Sequence, residues 1–159
     1  MNPPSGIKTI PNGQWVLEND SHLSRWAEEH GSIITDPYLM KWLKPHVEGV
    51  KTAWDIGAAI WDTARQYLDW GMQVIAIEPN EMPFLCLAKN CKEAWCIKVA
   101  ASDTNGTATF AQSDNVGASR ITPDGDMQVE TVRLDDMALP DPDFIKIDAE
   151  GHEVFILRG

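Results

Sequence analysis

The chain has 159 residues, enough for one domain with a real core, and its 24 Asp and Glu against 13 Lys and Arg leave a formal charge of −11. That charge opposes broad contact with nucleic-acid phosphates, so no nucleic-acid partner is expected. No apolar run approaches the roughly 20 residues that span a bilayer, and the polar start from Met1 to Gly13 lacks the apolar centre of a signal peptide; no membrane contact and a cytoplasmic location are expected.

Residues 14 to 48 carry apolar positions at Leu23, Trp26 and Ala27, then at Tyr38, Leu39, Trp42 and Leu43. This helical spacing, broken by Gly31 and by Asp36-Pro37, predicts two short helices. Trp15, Trp26 and Trp42 fit either a packed cap over a binding turn or a helix pair lying on a sheet. From Lys51 the pattern alternates. Thr52 to Ile56 reads as a strand, about Ile60 to Trp70 as a helix stopped by Gly71, and Gln73 to Ile77 as a second strand. A helix over Phe84 to Cys91 follows, with Asn80 as N-cap and Pro83 in its first turn. Cys96 to Ala101 reads as strand three.

Asn105-Gly106 is a hairpin signal after which Thr107 to Ala111 can pair back. A polar loop from Gln112 leads to a strand over Val129 to Leu134, then a buried strand over Asp143 to Asp148 and a helix over Glu150 to Leu157. Alternating strands and helices with nearly continuous apolar strands predict an α/β fold, a doubly wound, mainly parallel sheet covered by helices on both faces. Such a sheet, ending after its fourth core strand, leaves an open edge that predicts self-association or a complementing chain. Cys86, Cys91 and Cys96 form no Cys-x-x-Cys pair, so reduced, partly buried thiols are expected rather than disulfides or a zinc site.

The first strand ends in Asp55-Ile56-Gly57-Ala58-Ala59, and Glu78 ends the second, 21 residues after Gly57. A missing Cβ at Gly57 lets a ligand approach the backbone, and a carboxylate at Glu78 can accept both hydroxyls of a ribose. Asp55 beside the turn repels a pyrophosphate and suits a cationic amino-acid tail, which favours S-adenosylmethionine over NAD.

These residues resemble a known family. Asp55-Ile56-Gly57-Ala58, Ile77-Glu78-Pro79-Asn80, Phe84 to Asn90, Ala101-Ser102-Asp103 with Gly106, Leu134-Asp135-Asp136, Phe144-Ile145-Lys146-Ile147-Asp148-Ala149-Glu150-Gly151-His152-Glu153 and the closing Leu157-Arg158-Gly159 look like the FkbM family of S-adenosylmethionine-dependent methyltransferases. The resemblance covers about residues 50 to 159. It implies a Rossmann-like class I methyltransferase fold lacking its last strands, with residues 1–48 as a helical cap and residues 49–159 as an incomplete cofactor-binding domain. It also implies methyl transfer to a hydroxyl of a sugar or other small molecule.

Carried onto this sequence, the resemblance implies that Gly57 admits the methionyl end, that Asp55 lies near its ammonium and that Glu78 holds the ribose. Ser102 and Asp103 would border the adenine. Asp148 to His152 would face the methyl group, with His152 as the base and Asp148, Glu150 and Glu153 orienting its ring or raising its basicity. His152 could equally cap the following helix. Divalent-metal binding by Asp148, Glu150, His152 and Glu153 is a rival use, but neighbours on one turn cannot all converge on one ion, so no metal site is expected. The family usually shows Asp-x-Gly-Ala-Asn-x-Gly, whereas Ala59 and Trp61 stand here in place of the Asn and the last Gly. That departure motivates a second reading, a methyltransferase-like binding or assembly piece without catalysis; an NAD-dependent oxidoreductase is a distant third.

Overall fold

A computed structural model describes residues 2–31 and 36–159. The chain opens with a small antiparallel hairpin, β1 (Ile7–Thr9) and β2 (Trp15–Leu17), where no element was expected. The two predicted helices follow as α1 (Leu23–His30) and α2 (Pro37–Leu43). Asp36-Pro37 starts α2: the Asp36 carboxylate accepts the Leu39 N–H at 2.8 Å, and Pro37 occupies the first turn, where its missing N–H costs nothing. The link between α1 and α2 lies outside the described residues.

Four parallel strands form the central sheet, in the order β10 (Phe144–Ile147), β3 (Thr52–Ile56), β4 (Gln73–Ile77), β5 (Trp95–Ile97). α3 (Asp62–Asp69) joins β3 to β4, and α4 (Glu81–Asn90) joins β4 to β5. Gly71, at φ +86°, ends the α3 region as its position predicts. Asn80 sits at the N-cap of α4, yet its side chain caps nothing: both amide atoms are buried without a hydrogen-bond partner.

The two faces of this sheet are covered differently. Ala53, Val74 and Ala76 face a core shared with Tyr67 of α3, Leu87 of α4 and Val16 of the hairpin. The hairpin is tied to α4 through Asn90, whose amide donates to the Trp15 carbonyl at 2.8 Å and accepts the Trp15 N–H at 2.9 Å. Trp54, Ile56, Ile75 and Ile77 point the other way, into a core with Val99, Leu134, Ile156 and Ala101, and Ala101 belongs to a second sheet that was not expected. Its order is β6 (Ala100–Ala101), β9 (Met127–Val132), β7 (Gly106–Ala111), β8 (Arg120–Ile121), mixed in direction.

Three expectations are corrected here. Residues 96–101 are not one strand: the chain bends at Lys98-Val99, Val99 fills the space between the sheets, and the backbone leaves β5 to start β6. β7 does not fold back on its predecessor but pairs with β9 and β8, and Asn105 before it is engaged by the segment after β9. Its side chain accepts the Arg133 N–H at 2.7 Å and donates to Asp136 at 2.7 Å. Finally, β10 is not fully buried. It pairs with β3 alone among the described residues, leaving Ile145 exposed, and the helix after it is a single turn, α5 (Glu153–Ile156).

Cys86 and Cys91 are buried and Cys96 partly so, all unpaired. Burial pushes the Cys86 thiol up to about 12 and Cys96 up to about 11, so neither is a thiolate at neutral pH. No described helix is long and apolar enough to cross a membrane.

Candidate active site

In chain order the strands run outward from β3 through β4 to β5, then resume on the other side of β3 with β10. Ligands in open α/β sheets bind beyond the carboxyl ends of the strands at such a reversal. A cavity of about 530 Å³ lies there, within the range of small-molecule sites. Gly57, Glu78 and the 146–150 segment line it from the main sheet, and Leu39, Met40 and Leu43 line it from α2. The aromatic cap does not exist as one feature. Trp15 is in the core, Trp26 is half-buried against His30, and Trp42 is exposed against His46.

Glu78 is 7% exposed. Its Oε2 accepts the Ala59 N–H and its Oε1 the Asn80 N–H, each at 2.9 Å, so the carboxylate bridges the ends of β3 and β4. Burial pushes it up to about 7, against these two N–H groups and Lys146. Gly57 has φ +77°, and a Cβ there would collide with the Asp148 carbonyl oxygen. The glycine is therefore required by the tip of β10 crossing over it, before any ligand is considered.

Ala59 and Trp61 adopt φ +46° and +137°, left-handed conformations that Asn and Gly reach more easily. Two residues with side chains thus hold positive φ in this turn. The Trp61 indole is buried in the core with Ala64 and Tyr67, and it does not line the cavity.

Asp55 is fully buried and lies beneath the cavity wall. Its Oδ2 accepts the Thr63 hydroxyl at 2.6 Å, and Lys146 Nζ stands 3.2 Å from Oδ1. Lys146 also donates to the Gly57 carbonyl at 2.8 Å and lies 3.7 Å from Asp148. Burial works to lower the Lys146 pKa, but Asp55, Asp62 and Asp148 outweigh it and hold the ammonium charged. Asp62, Thr63, Tyr67 and Lys146 all line the cavity and were not singled out from the sequence. Burial pushes Asp62 up to about 6, with Lys146 opposing and Asp55 adding to the rise. A signal for Lys146 did exist: it is the lone charge inside an apolar strand, as Asp55 is in its own, and the two are direct partners in the β10–β3 register.

His152, Asp148 and Glu150 line the cavity at the tip of β10. His152 is at the N-cap of α5, but its side chain does not cap. Its Nε2 lies 3.0 Å from Ser102 Oγ, and its ring stacks on Phe155 with centroids 4.7 Å apart. The expected rise in basicity is not observed. Burial lowers the His152 pKa, and the charges opposing it are those of Asp103 and Glu153, not Asp148 or Glu150. Glu153 is held by the turn itself, accepting the N–H groups of Ala149 and Gly151 at 3.0 and 3.1 Å. Ser102 and Asp103 do not line the cavity. Among the described residues, no three His, Cys, Asp or Glu side chains are grouped as a metal site.

Residues 55–159 match the methyltransferase FkbM domain family, a span that runs from Asp55 to Gly159 and contains Glu78, Lys146 and His152. The chain belongs to the methyltransferase FkbM family. It is also similar to the hexuronic acid methyltransferase AglP of Haloferax volcanii, 27% identical over an alignment of 131 positions that covers 76% of this chain and 54% of that protein. The chain thus spans about half the length of this curated relative. No solved structure matches it.

Proposed function

We propose that this chain is the cofactor-binding part of an S-adenosylmethionine-dependent O-methyltransferase with a Rossmann-like class I fold. The observation that carries this reading is Glu78, a carboxylate on the wall of the cavity at the end of β4. Each of its oxygens accepts one backbone N–H and keeps a lone pair for a ribose hydroxyl. The donor set fits the cofactor's charge as well. Asp36, Asp62, Glu78, Asp148 and Glu150 line the cavity against Lys146 and Arg120, an acidic excess suited to a cation.

When bound, S-adenosylmethionine supplies a methyl group activated by a sulfonium. What remains for the protein is alignment of the acceptor and removal of its proton. Lys146 holds Asp55 and the Gly57 carbonyl and so fixes the turn under the ligand. His152, whose lowered pKa leaves it neutral near pH 7, takes the proton of the acceptor hydroxyl. Asp148 and Glu150 flank this position.

The acceptor proposed is a hydroxyl of an acidic sugar, supported by the name of the AglP relative. Arg120 lines the cavity and forms no ion pair among the described residues, which suits an acceptor bearing a carboxylate. The non-catalytic reading loses its motive at Trp61, since that indole leaves the cavity free. The exposed β10 edge, with Ile145, Val154, Phe155 and Leu157 around it, is proposed as a surface for a second copy or a complementing chain.

Calorimetric titration with S-adenosylhomocysteine, with NADH as control, tests the cofactor assignment. Saturable binding of S-adenosylhomocysteine alone is expected. No binding by folded protein, or equal binding of NADH, overturns it.

A further inference from the structure

Ser102 follows β6, and its N–H donates to the Val132 carbonyl at 2.8 Å, so the second sheet fixes its backbone. Gly159 packs against its carbonyl with no room for a Cβ, while the Gly159 carbonyl accepts the Asp135 N–H at 2.9 Å. From this anchored turn, Ser102 Oγ reaches Nε2 of His152 at 3.0 Å and Oδ1 of Asp103 at 3.4 Å. His152 Nδ1 has no hydrogen-bond partner among the described residues. Stacking on Phe155 restricts the ring's tilt.

A serine hydroxyl has one proton to give and lone pairs to accept with, whereas a carboxylate only accepts. Giving the Ser102 proton to the Asp103 carboxylate, 3.4 Å away, leaves a serine lone pair to meet Nε2. A neutral imidazole hydrogen-bonded in this way carries its hydrogen on Nε2 and leaves Nδ1 as the basic nitrogen. We propose that Asp103 and Ser102 are positioning residues that set His152 in the Nε2–H tautomer, so that Nδ1 is the atom that receives the acceptor's proton.

The proposal rests on His152 serving as the base. The bookkeeping closes: the acceptor oxygen gains a methyl and loses its proton to Nδ1, and the positive charge that leaves the sulfonium appears on the imidazolium. Asp103 and Glu153 are the charges that favour that imidazolium. The link runs between the two sheets, from the tip of β6 to the tip of β10. Under this proposal Ser102 and Asp103 act through His152 and need not touch the adenine.

The test is long-range proton–nitrogen NMR of the His-labelled full chain, above the pH at which the ring titrates. Wild type is compared with S102A, S102T and D103N, and H152Q assigns the signals. Wild type and S102T are expected to show one species protonated at Nε2, and S102A a mixture of both tautomers. D103N should enrich the Nδ1–H form, since the serine proton is released toward Nε2, and should lower the ring's pKa. An Nδ1–H ring in wild type overturns the proposal, as does one unchanged tautomer pattern in all four chains. Calorimetry with S-adenosylhomocysteine on the same samples separates the two claims. Loss of binding in every chain removes the methyltransferase reading, while the tautomer pattern is read without cofactor or acceptor.

Discussion

The two ends of the cavity are built on opposite plans. At the β3–β4 end, Asp55 and Glu78 are buried and fixed by backbone N–H groups, a hydroxyl and one ammonium. At the β10–α5 end, Asp148 and Glu150 are exposed, and His152 is half-buried with one nitrogen bound to a serine. The first arrangement holds its carboxylates in place, and the second leaves a side chain with one nitrogen free to meet an acceptor. In such a site, stability and ligand affinity should depend on the first end and turnover on the second.

The hardest test of this division is Lys146→Ala. Removing the ammonium leaves Asp55 buried without a counter-charge, and breaking such a pair costs about 3–5 kcal/mol. Urea unfolding should show a loss of that size; a loss below about 1 kcal/mol would mean that water reaches Asp55 and that this end is not fixed as described.

His152→Ala should cut turnover about a hundredfold while S-adenosylhomocysteine affinity stays within a factor of two or so. Full turnover in this variant would move the base elsewhere. Glu78→Ala should do the reverse and weaken that ligand by about 2 kcal/mol, through lost hydrogen bonds to a charged group. Unchanged affinity would remove Glu78 from the ribose.

Glu78 also gives a pH signature with a definite sign. Its native pKa, about 7, stands above the ordinary 4.5, so between those values the folded chain keeps a proton that the unfolded chain has released. The contribution to stability is fully present below about 4.5 and is lost as pH rises through 7, while affinity for a ribose-bearing ligand should rise over the same interval. Parallel unfolding and titration series between pH 5 and 8 measure both. Stability and affinity that both stay flat over this range would show that Glu78 is ionised throughout.

The smallest effect is expected at Arg120, on the exposed rim. Arg120→Ala should raise KM for a uronic acid acceptor about three- to fivefold and leave a neutral sugar unaffected, as a solvent-exposed ion pair of up to about 1 kcal/mol requires. Equal changes for both sugars would detach Arg120 from the acceptor's charge.

Much of the first end was legible because its signals are local. Asp55-Ile56-Gly57 and Ile77-Glu78 place their residues by strand period and turn chemistry, and β3 and β4 have the predicted bounds. The second end was legible only in its residue types. His152 is visible as a titratable group after a strand, but its partner Ser102 lies 50 positions away, and no local pattern pairs them. The second sheet was missed for a similar reason. Residues 96–101 read as one apolar strand, and the bend at Lys98-Val99 depends on where Val99 finds its core.

The α/β alternation, the parallel central strands, the turn after β3 and the groups Asp55, Glu78, Asp148, Glu150 and His152 at the strand ends could be read from the residues alone. These follow from periodicity and chain direction, which act over a few residues. Packing settled that Gly57 is required by the Asp148 carbonyl, that Trp61 lies in the core, that Lys146 is held by Asp55 and that Ser102 rather than a neighbouring carboxylate binds His152. Each of those depends on strands distant in sequence meeting at one edge, where packing and desolvation set the contacts.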